Sequence, residues 1–244
     1  VLMVFLAGVF LTRSAGCAIN DFADRKIDPF VKRTHLRPLA RGAIRPFEAI
    51  LVFAVLTSGA FGLVLTLNTQ TILLSFVGAA LMIIYPFLKR IFSMPQAWLG
   101  LAFTWSIPMA YSALEQTLHF KVWILFSAGV CWTLVYDTQY AMVDRDDDQH
   151  LSVRSSALLF GRYDRHVIGA FQLIMIALMG LFGQIDGLGM WYYAGVSVAA
   201  LLMGYQQWLI HTRERDRCFA AFRNNAWVGL VIFLGIVFDQ WFPH

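Results

Sequence analysis

Aspartates recur in this chain at intervals that a helix brings into line. Asn20, Asp24 and Asp28 are spaced i, i+4 and i+8, so an α-helix turning about 100° per residue sets three oxygen donors along one face, with Asp21 beside them. A second run spans Tyr136 to Asp148, where Asp137, Asp144 and Asp148 at i, i+7 and i+11 again fall nearly in line. Oxygen-only donor sets suit a hard cation, and Mg²⁺ typically takes one or two carboxylates together with waters and substrate phosphates. Two stripes predict two ions. Asp24, Asp28, Asp144 and Asp148 then supply the carboxylate charge that two Mg²⁺ would cancel, and the two stripes read as halves of one site.

The elements that must position these stripes are membrane spans. A hydrophobic fraction of 59%, charged residues at 14% and a mean hydropathy of +0.62 place the chain among polytopic all-α membrane proteins and away from soluble cores. Eight spans of about 20 residues are predicted: 1–19, 47–67, 71–88, 96–114, 122–141, 166–185, 191–210 and 226–242. Short polar turns at Asn68 to Gln70 and at Asp186 to Gly189 imply antiparallel neighbours, while 24–46 and 144–165 are long polar loops. Gly59 and Gly62 are small residues of the kind that let membrane helices pack closely. Cys17, Cys131 and Cys218, odd in number and scattered, support neither a disulfide framework nor a zinc site. Trp98, Trp191 and Trp241 near span ends read as interfacial anchors.

Charge orients the bundle. Alternating loops collect all but two of the 19 lysines and arginines on one face, the exceptions being Lys121 and the intraspan Arg13. The positive-inside rule makes that face cytoplasmic, and both acidic stripes end on it. Lys32, Arg33, Lys89 and Arg154 lie on the same face, where cations are needed to neutralise a diphosphate. The arginines from Arg213 to Arg223 are assigned to topology alone. Arg13, seven residues before Asn20 on the same helix face, either approaches an anionic substrate group or neutralises a nearby aspartate. Asp137, a few residues inside a span, reads as functional because intramembrane carboxylates are costly.

The paired acidic motifs, with Arg33 to Leu39 after the first and the segment Tyr85 to Arg90 between them, resemble the UbiA-type superfamily of intramembrane prenyltransferases. The second run is most similar to its branch of 4-hydroxybenzoate polyprenyltransferases from Gram-negative bacteria. The resemblance covers nearly the whole chain and implies one transmembrane domain, 1–244, around a central cavity open to lipid. It also implies nine helices, so the first is expected to precede Val1, together with an arginine the family uses near the aromatic acid.

By matching position, the resemblance makes Asn20, Asp24 and Asp28 one Mg²⁺–diphosphate ligand set and Asp144 and Asp148 the other, with Asp21 and Asp137 in support. Lys89, Arg33 and Arg37 resemble residues that bind diphosphate or order the loop. Arg154 stands where the family commonly has lysine, and a planar fork replaces a point charge there. The implied substrates are a polyprenyl diphosphate and 4-hydroxybenzoate in the bacterial inner membrane, for ubiquinone biosynthesis, with no nucleic acid partner.

The implied chemistry is electrophilic aromatic substitution. Diphosphate leaves, an allylic cation remains, the ring carbon ortho to the phenolic hydroxyl attacks it, and a proton departs. Such a cation reacts with water, so an apolar chamber is required. Among Tyr85, Trp105, Trp132, Tyr136 and Tyr140, the two tyrosines inside the acidic motif rank first for π stabilisation. Two other readings stay open: a naphthoate or porphyrin acceptor, and a cation-coupled transporter. A transporter is expected to hold its carboxylates near the midplane on broken helices, with matching half-repeats.

Overall fold

The computed structural model describes residues 1–30, 34–88, 91–150 and 154–242, and of Asp147 the backbone alone. Lys32, Arg33 and Lys89 lie outside the described residues. Among the described residues every regular element is helical. In a bilayer an α-helix satisfies its backbone hydrogen bonds within its own segment. In order these are α1 (Leu2–Asp24), α2 (Pro46–Val64), α3 (Thr69–Leu88), α4 (Pro95–Thr104), α5 (Ser106–Glu115), α6 (Phe120–Val143), α7 (Arg145–His150), α8 (Ser156–Phe160), α9 (Asp164–Asp186), α10 (Met190–Leu209) and α11 (Arg215–Trp241). Single 3₁₀ turns occupy Asp28–Phe30, Gly161–Tyr163 and Ile210–Thr212.

Six segments are long and apolar enough to cross a membrane: Leu2–Asp24, Pro46–Val64, Thr69–Leu88, Phe120–Val143, Ser156–Asp186 and Arg215–Trp241. Two of the eight expected spans differ from that standard. The fourth is broken into α4 and α5 because Pro108 has no N–H for the Thr104 carbonyl and its ring crowds that carbonyl, so the helix stops at Thr104 and restarts at Ser106. The seventh, α10, carries Tyr192, Tyr193, Tyr205, Gln206 and Gln207, which lower its apolarity. Outward apolar side chains such as Leu2, Phe10, Phe47, Leu173 and Leu201 are each at least 70% exposed, the pattern of a surface whose solvent is lipid.

The chain divides into two compact units, Val1–Phe92 with Trp105–Leu118, and Ser93–Thr104 with His119–His244. In the first, α1 packs on α2 and α3, and α3 packs on α5. Asn68 caps α3 by accepting from Thr71 N at 2.9 Å, and its amide donates to Ser112 O at 2.7 Å, which ties α3 to α5. Trp105, at the Pro108 break, donates from its indole to Leu74 O at 2.8 Å.

In the second unit α6 is the central element, flanked by α4, α9 and α11. Its interior combines apolar clusters with a chain of buried amides. Gln139 and Gln172 both donate to Gln206 Oε1, at 3.0 and 2.9 Å, and Gln206 donates to Asn224 at 3.1 Å. Asn225 donates to Gln139 at 2.8 Å and accepts from Trp132 Nε1 at 2.9 Å. This amide chain crosses α6, α9, α10 and α11, and hydrogen bonds between membrane helices contribute about 0.6–2 kcal/mol each.

Helices α10 and α11 approach until backbone meets backbone: a Cβ at Gly195 would lie 2.6 Å from Val231 O and 3.1 Å from Gly235 Cα. Gly195→Leu should therefore push the two helices apart and cost at least about 1–3 kcal/mol. A lowered melting temperature in detergent is the expected reading; an unchanged one would refute the close approach.

Candidate active site

Helix α1 delivers Asn20, Asp21 and Asp24 on its last turns and ends at Asp24. It stops there because Pro29 cannot donate to the Arg25 carbonyl and disfavours helical backbone at Asp28. The chain turns through 25–27, with Ile27 N donating to Asp24 O at 2.7 Å, and Asp28 opens a 3₁₀ turn. The expectation of one helix face carrying Asn20, Asp24 and Asp28 is thus corrected: Asp28 is not at i+8 of the same helix. A side chain from the following loop restores proximity instead. Arg37 Nη1 donates to Asp21 Oδ1 at 2.8 Å and to Asp28 Oδ2 at 3.2 Å, and Thr34 donates to Asp28 O at 3.2 Å. Arg37 thus links the end of α1 to the loop that follows it. Asp24 and Asp28 are each only 5% exposed.

The second stripe is broken as well. Helix α6 ends at Val143, Asp144 adopts φ −96°, ψ 7°, and α7 starts at Arg145. The hydrogen bond from Asp148 N to Asp144 O at 2.8 Å carries the register across this break. Asp137 lies part-buried on α6, beside Tyr136. Tyr136 and Tyr140, one turn apart, both lie against Phe222 of α11, with ring centroids 6.3 and 4.6 Å from it. Trp132, Tyr136, Phe222, Arg223, Asn225 and Trp227 line a cavity of about 730 Å³ within the second unit. An aromatic wall of this kind can stabilise a cation by its ring faces.

Both stripes gather carboxylates at the C-terminal end of a helix, where the backbone dipole is already negative. Two of them are buried. Carboxylates so placed demand cations, and all donors are hard oxygens, so the residues present fit Mg²⁺. Among the described residues no three His, Cys, Asp or Glu side chains form a group able to hold a metal alone.

The basic residues fall in different places. Arg13 is exposed on α1, and Arg154 is exposed in the stretch before α8. Sequence reasoning missed a buried ionic cluster behind the second stripe. Asp164, at the start of α9, is fully buried and bonded to Arg145, the residue after Asp144, and to Arg213 at 2.8 Å. The hydrogen-bonded Asp164 carboxylate raises the Arg213 guanidinium pKa above its usual value. Arg215 donates to Val143 O at 2.6 Å, on the other side of Asp144. Arg213 and Arg215 thus do more than set topology. Their only sequence signal was a basic loop, and nothing in its spacing pointed to Asp164.

An all-helical, multi-pass membrane protein with two aspartate-rich motifs at helix C-termini belongs to a narrow class of membrane catalysts. A model of the UbiA prenyltransferase family matches residues 1–235, and the chain belongs to that family. The chain is 52% identical over 242 residues to the 4-hydroxybenzoate octaprenyltransferase of Aeromonas salmonicida, covering 99% of this chain and 84% of that protein. It is 54% identical over 241 residues to the enzyme of that name from Salmonella paratyphi B, covering 99% and 83%. The apo structure of a UbiA homolog from Aeropyrum pernix K1 aligns with a TM-score of 0.85 at 28% identity, over 98% of this chain and 89% of that one. A UbiA homolog from Archaeoglobus fulgidus, solved bound to GPP and Mg²⁺, shares the fold at a TM-score of 0.72 and 14% identity, over 98% and 87%.

Arg37→Ala removes the cation shared by Asp21 and Asp28. Amide exchange in residues 34–45 is expected to speed up severalfold, up to roughly tenfold. Exchange at the parent rate would show that Arg37 does not order this loop.

Proposed function

We propose that the chain transfers a polyprenyl group from polyprenyl diphosphate to the carbon ortho to the hydroxyl of 4-hydroxybenzoate, as a step of ubiquinone biosynthesis. The observation that carries this reading is the identity of 52–54%, over 99% of the chain, to enzymes named for that acceptor. The residues 1–244 act as one transmembrane domain in the bacterial inner membrane, with the basic loops on the cytoplasmic side.

Asn20, Asp24 and Asp28 form one ligand set, and Asp144 and Asp148 the other, for two Mg²⁺ ions. Metal held by these residues would neutralise carboxylates and diphosphate and would supply stabilisation of the charge that develops on a departing diphosphate. Asp21 and Asp137 support the two sets. Arg37 holds the first loop, Lys32, Arg33, Lys89 and Arg154 bind the diphosphate, and Arg13 helps to bind an anionic substrate group. Tyr136 and Tyr140 present ring faces to the allylic cation, and the apolar walls exclude water from it.

Prenyl transfer is measured in membranes with 4-hydroxybenzoate, a polyprenyl diphosphate and Mg²⁺, beside EDTA, Asp24→Ala and Asp144→Ala. Each of the three perturbations is expected to lower turnover by roughly 100-fold or more. Turnover that persists in EDTA would overturn the metal-dependent mechanism. Transfer to a naphthoate or porphyrin but not to 4-hydroxybenzoate would overturn the acceptor.

A further inference from the structure

The break at Asp144 is held from both sides by side chains that sit far away in sequence. On the α6 side, Arg215 Nε donates to the Val143 carbonyl at 2.6 Å. That carbonyl belongs to the last turn of a helix, where no backbone N–H is available to it. On the α7 side, the guanidinium of Arg145 is fixed by Asp164 and by Ala157 O, the latter at 3.1 Å. Asp164 is fully buried, and its carboxylate also accepts from Arg213 Nε at 3.1 Å, from Arg213 Nη2 at 2.8 Å and from Arg165 N at 2.6 Å.

The corner that supplies these arginines is itself fixed in shape. Arg213 sits at φ +58°, a left-handed conformation that a non-glycine residue adopts at some cost. That backbone turn follows the 3₁₀ helix Ile210–Thr212 and precedes Glu214, the N-cap of α11. Arg213 Nη2 is shared between Asp164 and Arg162 O, the latter at 2.9 Å, so the corner is bound to the start of α9 at two points. Around it Val135, Met142, Val143, Ala157, Ile168 and Cys218 pack in one apolar cluster. The buried carboxylate lies between two guanidinium groups, gripped by Arg213 through both Nε and Nη2 and by Arg145 through Nη2 alone.

We propose that Asp164 is a positioning residue for the second aspartate motif. Through Arg145, and together with Arg213 and Arg215, it fixes the helix break at Asp144 and so sets how the carboxylates of Asp144 and Asp148 stand relative to each other. This rests on the reading of those two aspartates as metal ligands. Asp164 does not touch substrate or metal; it acts on the peptide units that carry the ligands. Partners one shell beyond the ligands typically control metal affinity by 10–100-fold, about the range in which this effect should fall.

The test uses the full chain in lipid nanodiscs, with Mn²⁺ binding followed by electron paramagnetic resonance and prenyl transfer titrated with Mg²⁺. Asp164→Asn keeps the shape of the side chain and removes its charge. Mn²⁺ affinity is expected to fall roughly tenfold, and the Mg²⁺ concentration for half-maximal turnover to rise by a similar factor, with the KM for 4-hydroxybenzoate unchanged. If Asp164→Asn does not fold, Arg213→Lys and Arg215→Gln carry the same measurement, because each removes one limb of the brace. A lower melting temperature with parental Mn²⁺ affinity and parental Mg²⁺ requirement would mean that the cluster only stabilises the fold, and would overturn the proposal. Asp144→Asn, run in parallel, separates the two levels. Loss of Mn²⁺ binding in Asp144→Asn without any change in Asp164→Asn defeats the positioning role alone. Parental Mn²⁺ binding in Asp144→Asn defeats the ligand reading, and the positioning role with it.

Discussion

Carboxylates placed at the C-terminal end of a helix meet a dipole of their own sign, and most of this structure answers that conflict. Asp21 and Asp24 close α1, Asp144 caps α6, and Asp28 and Asp148 follow within a turn. Beside a low-dielectric membrane the repulsion is screened less than in water. At the first motif an arginine resolves part of it locally, Arg37 pairing with Asp21 and Asp28; behind the second motif Arg145 and Arg213 pair instead with Asp164 at the start of α9. The carboxylates of both motifs are oxygen donors of the kind that suits a hard cation.

The two motifs solve one problem with different means. At the first, Pro29 ends the helix and a single loop arginine gathers Asp21 with Asp28. At the second, the helix is interrupted and resumes, with the interruption clamped from α9 and from the corner before α11. The first arrangement is local in sequence and therefore inexpensive in loop entropy. The second joins residues up to 72 positions apart and depends on the whole unit being folded.

Much of the fold was legible in the sequence, because a bilayer forces apolar runs of fixed length and loops of one charge. The two acidic motifs were legible too, as residue types. Their geometry was not. Helical periodicity does not continue through Asp28, where Pro29 disfavours it, nor through Asp144, where the backbone departs from helical ψ. Pro108 falls inside the expected span 96–114, and the segment splits at Trp105. Asp164 gave no signal because an isolated aspartate in a polar loop looks solvated until tertiary contacts bury it. Arg213 and Arg215 were masked by their neighbours, since a cluster of basic residues at a span end already has a sufficient explanation in topology.

The amide chain through Gln139, Gln206, Gln172 and Asn225 has a further consequence. It joins four helices without a single ionisable group. A transmembrane voltage does work on charges, about 2.3 kcal/mol per elementary charge for each 100 mV, and none on a neutral amide. Proton gradients likewise find nothing there to titrate. A change in membrane potential or pH therefore finds no net charge and no titratable group within this amide chain, while the charged groups lie elsewhere in the unit.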